Sequence, residues 1–218
     1  FKVNPFQAVV VNYFVCVLTG WAFVGSFPIK EGFQHLDWFP YALGISIFFI
    51  AGFTLAAYTY QKFGITITTI MSKMSMIISV IFAILVYQEL INFPKVLGIL
   101  IAIAAIILTN LPHAESVFNK KKIKRIFWLF PIMVMLMQAT IEIVLQYVEQ
   151  NILASGTSGD PAFVTTIFLC AGIIGLVTAL IGFLSGRLSF NWRNVIGGIA
   201  LGIPNYFSIY FLLKALGA

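Results

Sequence analysis

The chain has 218 residues, of which 61% are hydrophobic and only 9% charged, and its mean hydropathy is +1.01. A soluble domain is roughly a quarter charged, so these values exclude one and call for an integral membrane protein. The formal charge of +6 comes mostly from one short basic segment, which speaks for a loop beside a membrane and against nucleic-acid binding.

Seven continuous apolar runs predict membrane spans at residues 6–27, 39–62, 66–88, 94–112, 126–149, 161–185 and 195–216. Each is close to the roughly 20 residues that cross a bilayer core as a helix. None shows the alternation of a barrel strand, so the expected fold is all-α, a polytopic transmembrane helix bundle. The first run follows Lys2 but is too long for a signal peptide and lacks a small-x-small cleavage site. Its Asn12 and Tyr13 read as packing residues. Cys16 and Cys170 lie inside spans, and His35 and His113 stand alone in loops, so the sequence predicts no disulfide framework, metal centre or cofactor.

The third and fourth runs form a helical hairpin over residues 64–111. Pro94 is placed to open a helix where its missing N–H costs nothing, and Glu89 and Lys95 fall near the interface. Charged groups inside a span cost about 2.5 to 3.5 kcal/mol each at its centre and therefore face a cavity or a partner. Two qualify, Lys73 and Glu142. Lys73 lies about 10 Å deep, where it either snorkels to the surface or meets a cavity and substrate. Ser72 is on or near its face, with Thr69, Met76 and Ser79.

In the fifth run Gln138, Glu142, Gln146 and Glu149 recur at spacings of four, four and three, which puts them on one helical face. Such a stripe is expected to face the protein interior and line a substrate path. Glu142 is its candidate for proton coupling, with a structural hydrogen bond to another helix as the alternative. Glu142 and Lys73 differ in depth by about 10 to 15 Å, so no direct salt bridge between them is expected. In the sixth run Ala171, Gly175 and Ala179 form a small-residue stripe and Gly182 with Gly186 a GxxxG pair, suited to close packing within the chain or to a homodimer. In the seventh, Pro204 precedes Asn205, Tyr206, Ser208 and Tyr210, and the second run carries Thr54, Tyr58 and Tyr60. For Asn205, Tyr206 and Tyr58, substrate contact and helix-to-helix hydrogen bonding are equal readings.

Counting Lys and Arg on alternate sides gives nine against three, which puts Lys2 and the 113–125 loop in the cytoplasm. A shift of 153 residues lays Gly44 on Gly197 and Gly64 on Gly217, and a shift of 154 lays Cys16 on Cys170. An odd number of spans between the copies makes them antiparallel, an inverted repeat. The implied parent has ten spans in two halves of five, one span preceding Phe1 and two following Ala218.

The apolar run that ends in Tyr87, Gln88, Glu89 and Leu90, with Gly98 nine residues after Glu89 and a further apolar run, resembles the end of the EamA repeat of the drug/metabolite transporter superfamily. The resemblance implies the same ten-helix architecture. Residues 1–112 would then be a first repeat lacking its first helix, 113–125 a basic connecting loop, and 126–218 a second repeat lacking its last two helices. It also implies transport, often export, of small metabolites across the cytoplasmic (inner) membrane. The alternatives are a membrane-embedded enzyme, for which no nucleophile with its base or phosphate loop is found, and a non-transporting assembly subunit.

Overall fold

The computed structural model describes residues 4–25, 37–87, 93–109, 128–153, 160–186, 188 and 190–216. Its helices are α1 (Pro5–Val24), α2 (Phe39–Phe63), α3 (Ile65–Tyr87), α4 (Phe93–Thr109), α5 (Leu129–Val148), α6 (Pro161–Leu184) and α7 (Trp192–Leu216). A π-helical turn, Glu149–Leu153, extends α5. All the described regular structure is helical, and six of these helices are long and apolar enough to cross a membrane. The described part of α4 has 17 residues, about 26 Å at 1.5 Å per residue. Glu89, the 113–125 loop and most of the polar 151–160 segment lie outside the described residues.

The helices start and stop where local chemistry says they should. α1 and α6 both open on an Asx-Pro pair: the Asn4 side chain accepts from the Phe6 N–H at 3.1 Å and that of Asp160 from the Ala162 N–H at 2.8 Å. Proline follows in each, at the position where its lost donor is harmless. α1 ends at Gly25 with φ +72°, the left-handed cap that suits glycine. Gly186, expected to be half of a packing pair, has φ +68° and nothing within 4 Å of an added Cβ, so it ends α6 instead of packing it.

The chain divides into two compact units, one of Phe1–Thr54 with Val144–Ala218 and one of Leu55–Ile143. In the first, α1 is the centre. It packs against α7 through glycines: a Cβ on Gly198 would lie 2.6 Å from the Ala8 carbonyl and from Val11 Cβ, and one on Gly202 would lie 2.5 Å from Val15 Cβ. Numbering rises together along both helices, so α1 and α7 are parallel. On its other side, Gly172 faces Phe14, Gly175 faces Val10 and Thr165 faces Gly20, so α1 and α6 are antiparallel. α2 runs parallel to α6: Trp38 meets Phe163 edge-on at 5.4 Å, Ser46 Oγ lies 2.8 Å from the Ile167 carbonyl, and Ile50 reaches Gly175. Exchanging α1 with α6 and α2 with α7 therefore maps one parallel pair onto the other.

An aromatic cluster fills this unit, with Tyr13 stacked on Phe49 at 6.2 Å and tilted on Phe168 at 5.9 Å. Ala171, Gly175 and Ala179 are buried, in keeping with their role as a packing stripe. In the second unit α3 pairs with α4, Tyr58 meets Phe130 edge-on at 5.1 Å, and Phe63 meets Trp128 at 5.3 Å. Large apolar side chains such as Leu85 (73% exposed) and Leu108 (67%) point outward, as a lipid-facing surface requires.

Candidate functional site

The carboxylate of Glu142 sits inside the second unit against two hydroxyls from α3. Ser75 Oγ lies 2.8 Å from Oε1, and Ser79 Oγ contacts Oε2. Gln138, one turn earlier on α5, brings Nε2 to 3.5 Å from Oε1. Spacing explains the convergence: Ser75 and Ser79 are four apart on one face of α3, and Gln138 and Glu142 are four apart on one face of α5. Each serine hydroxyl also approaches its own helix, Ser75 Oγ at 2.7 Å from the Ser72 carbonyl and Ser79 Oγ at 3.1 Å from the Ser75 carbonyl. Ser75 is fully buried, whereas Glu142, Ser79 and Gln138 are half-buried. A hydroxyl on each carboxylate oxygen is the neighbourhood that offsets part of the cost of a carboxyl within a span.

Ser75 is legible in the sequence as the residue one turn before Ser79, but it lies off the face of Lys73 on which the sequence expectation is built. Lys73 itself is exposed, and it lies two residues, or about 200° around the helix, from Ser75. Ser72 is half-buried and contributes its carbonyl. Tyr58 is exposed at 40%, with the Lys62 ammonium 5.2 Å above its ring, a cation–π contact beside the Phe130 edge.

The remaining candidates belong to the first unit. Gln146 is buried on α5, and Glu149 is buried in the π-helical turn. Asn205 is half-buried and donates from Nδ2 to Asn12 Oδ1 at 3.4 Å, while the Cys16 thiol donates to the Gly202 carbonyl at 3.2 Å. Asn12, read from sequence as packing, is thus also a hydrogen-bond partner. α7 continues as a helix through Pro204. Tyr206 is fully buried against Phe168, Phe207 and Tyr210. The hydroxyls of Tyr13, Thr165 and Tyr206 are buried without a hydrogen-bond partner of good geometry.

A further group was not singled out in the sequence. Asn194, near the start of α7, accepts the Asn4 backbone N–H at 2.9 Å and donates from Nδ2 to Gln7 Oε1. Asparagine and glutamine in the first turns of two apolar runs were the available signal. Among the described residues, no group of three or more His, Cys, Asp or Glu could hold a metal ion.

Comparison with known proteins places this arrangement in a family. A protein of Haemophilus influenzae described as an uncharacterized protein is 24% identical over 96% of this chain and 69% of its own length. No solved structure matches. A family model described as the EamA-like transporter family matches residues 2–111, half of the chain. With that match and its membrane-crossing helices, the chain belongs to the EamA-like transporter family and is a membrane transporter.

Proposed function

We propose that the protein moves a small metabolite across the cytoplasmic membrane, in the export direction, by alternating access, with Glu142 and Gln138 lining the path. The observation that carries this reading is the Glu142 carboxyl itself. A carboxyl within a span is expensive and rare, and this one is held by hydroxyls of a neighbouring helix yet stays half-buried. The exchange relation of α1, α2 with α6, α7 supports the same reading, because inverted halves give a carrier its two faces.

The test is an export assay in cells. Culture media from cells making the full-length protein, a Glu142→Gln variant at the same membrane level, or neither are profiled for small molecules. The expected result is a set of compounds enriched outside by the wild type and lost with the variant. Media indistinguishable between wild type and the empty control over a broad range of growth conditions would refute export.

A further inference from the structure

Lys73 follows Ile65, the first residue of α3, by eight positions, which puts its backbone about 12 Å from the start of that helix. Lys62 at the end of α2 and the Trp128 ring edge-on to Phe63 mark the membrane interface there, since lysine and tryptophan gather where hydrocarbon meets water. A lysine on a helix leans toward the N-terminus and reaches about 6 Å, so its ammonium comes level with Thr69 and stops about 6 Å short of the interface. The face that leads there is polar. At about 100° per residue, Thr66, Thr69 and Lys73 lie within about 60° of one another, whereas the same face beyond Lys73 carries Met76, Ile77 and Val80.

The hydroxyls along this face differ from their neighbours. Thr68 donates to the Gly64 carbonyl at 3.0 Å, and Thr54, Thr59, Thr140, Thr166 and Thr178 likewise donate to the carbonyl four residues back at 2.7 to 2.9 Å. A threonine within an apolar helix satisfies itself in this way. Thr66 and Thr69 are half-buried and have no hydrogen-bond partner among the described residues, and the exposed Lys73 has no carboxylate partner among them either. Hydrocarbon tails offer nothing to a free hydroxyl or ammonium, and each polar group left unpaired among them is costly. Three donors in line, open at the interface and ending on a cation inside the span, call for water and an anion. Donor geometry selects the kind of anion. Rises of about 4.5 Å from Thr66 to Thr69 and about 6 Å from Thr69 to Lys73 suit a group with several acceptor oxygens, and an ammonium with three N–H groups binds such oxygens by charge-assisted bonds.

We propose that Thr66, Thr69 and Lys73 bind the carboxylate or phosphate group of the transported compound, so that the substrate is a small anionic metabolite and Lys73 is the residue that reads its charge. The substrate assignment rests on the transport reading above, whereas the anion site does not. Thr66 and Thr69 carry the anion between the interface and the ammonium, and Lys73 turns away organic cations of the same size.

The experiment is thiol labelling of full-length Thr66→Cys protein in a neutral maltoside detergent, with a negatively charged sulfonatoethyl and a positively charged trimethylammonioethyl methanethiosulfonate, counted over the protein without the added cysteine. The expected result is labelling by both reagents, with the ratio of sulfonate to ammonium rates falling about tenfold when Lys73→Gln is added and holding when Lys73→Arg is added instead. Succinate or inorganic phosphate, titrated at constant ionic strength, slows the sulfonate reagent when Lys73 is present and not in the Lys73→Gln background. Labelling by neither reagent, or a ratio indifferent to Lys73→Gln, would overturn the site. Protection by added phosphatidylglycerol with none from succinate or phosphate would give the site to a lipid headgroup and overturn the substrate assignment. In the export assay, the compounds enriched by the wild type are expected to carry a carboxylate or phosphate, to be lost with Lys73→Gln and to return with Lys73→Arg. Export unchanged by Lys73→Gln, or of uncharged or cationic compounds, would remove the substrate assignment and leave transport standing. The labelling result without any exported compound would remove the transport reading and keep the anion site.

Discussion

Gly198→Ala is the most discriminating single-atom change available in the first unit. The added Cβ would stand 2.6 Å from the Ala8 carbonyl oxygen and 2.6 Å from Val11 Cβ. Ordinary contact begins near 3.4 Å, so about 0.8 Å of room is missing, and the obstacles are a backbone oxygen and a β-branched side chain held by its helix. α1 and α7 must move apart. Overpacking of this kind costs about 1 to 3 kcal/mol, against which alanine recovers up to about 1 kcal/mol of helix propensity. The net expectation is a loss of about 1 to 2 kcal/mol, or several degrees in Tm at roughly 2 to 4 °C per kcal/mol for a chain of this size. Gly44 supplies the control, because a Cβ there meets nothing within 4 Å. Gly44→Ala should be neutral or stabilising. The assay is the melting of the detergent-solubilised full-length protein, followed by the loss of its monodisperse peak in size exclusion. Gly198→Ala as stable as wild type, or Gly44→Ala the worse of the two, would refute the close-packed α1–α7 contact.

Tyr13→Phe removes a buried hydroxyl without a hydrogen-bond partner of good geometry, so stability should hold or rise by up to about 1 kcal/mol in the same melt; a marked loss would reveal a hidden partner. Asn194→Ala breaks bonds to the Asn4 N–H and the Gln7 amide in one step and should cost about 1 to 3 kcal/mol. Lys73→Gln, at an exposed position, should leave the melt within about 0.5 kcal/mol of wild type. A cysteine introduced as Asn119→Cys should resist an impermeant thiol reagent on intact cells if the charge count sets orientation, and ready labelling would reverse the assignment.

The helices were legible because each span is an unbroken apolar run. Glu142 stood out as a charge inside a span and as part of a polar stripe at helical spacing. What depth and spacing could not supply was the identity of its partner, since many serines and threonines lie at similar depth and only packing selects Ser75 and Ser79. The buried hydroxyls of Tyr13 and Tyr206 were equally hidden, because a tyrosine among phenylalanines reads as bulk. The offset that lays Gly44 on Gly198, and Trp38 on Trp192, is 154, one more than the glycine coincidence suggested. Even so, Gly198 is pressed against α1 and Gly44 is open, an asymmetry that no internal alignment displays.

The bond from Asn4 to Asn194 and the thiol contact from Cys16 to the Gly202 carbonyl join residues 190 and 186 positions apart. During synthesis α1 therefore enters the bilayer long before the helix that completes it is made. Until then Gln7, Asn12 and Cys16 have no α7 to meet. The nascent chain thus passes through a stage in which the flank of α1 that will meet α7 is polar and not yet covered. Docking of α7 ends that stage, so a substitution that weakens the α1–α7 contact should appear first as turnover of newly made protein and only later as a lower melting temperature of what survives.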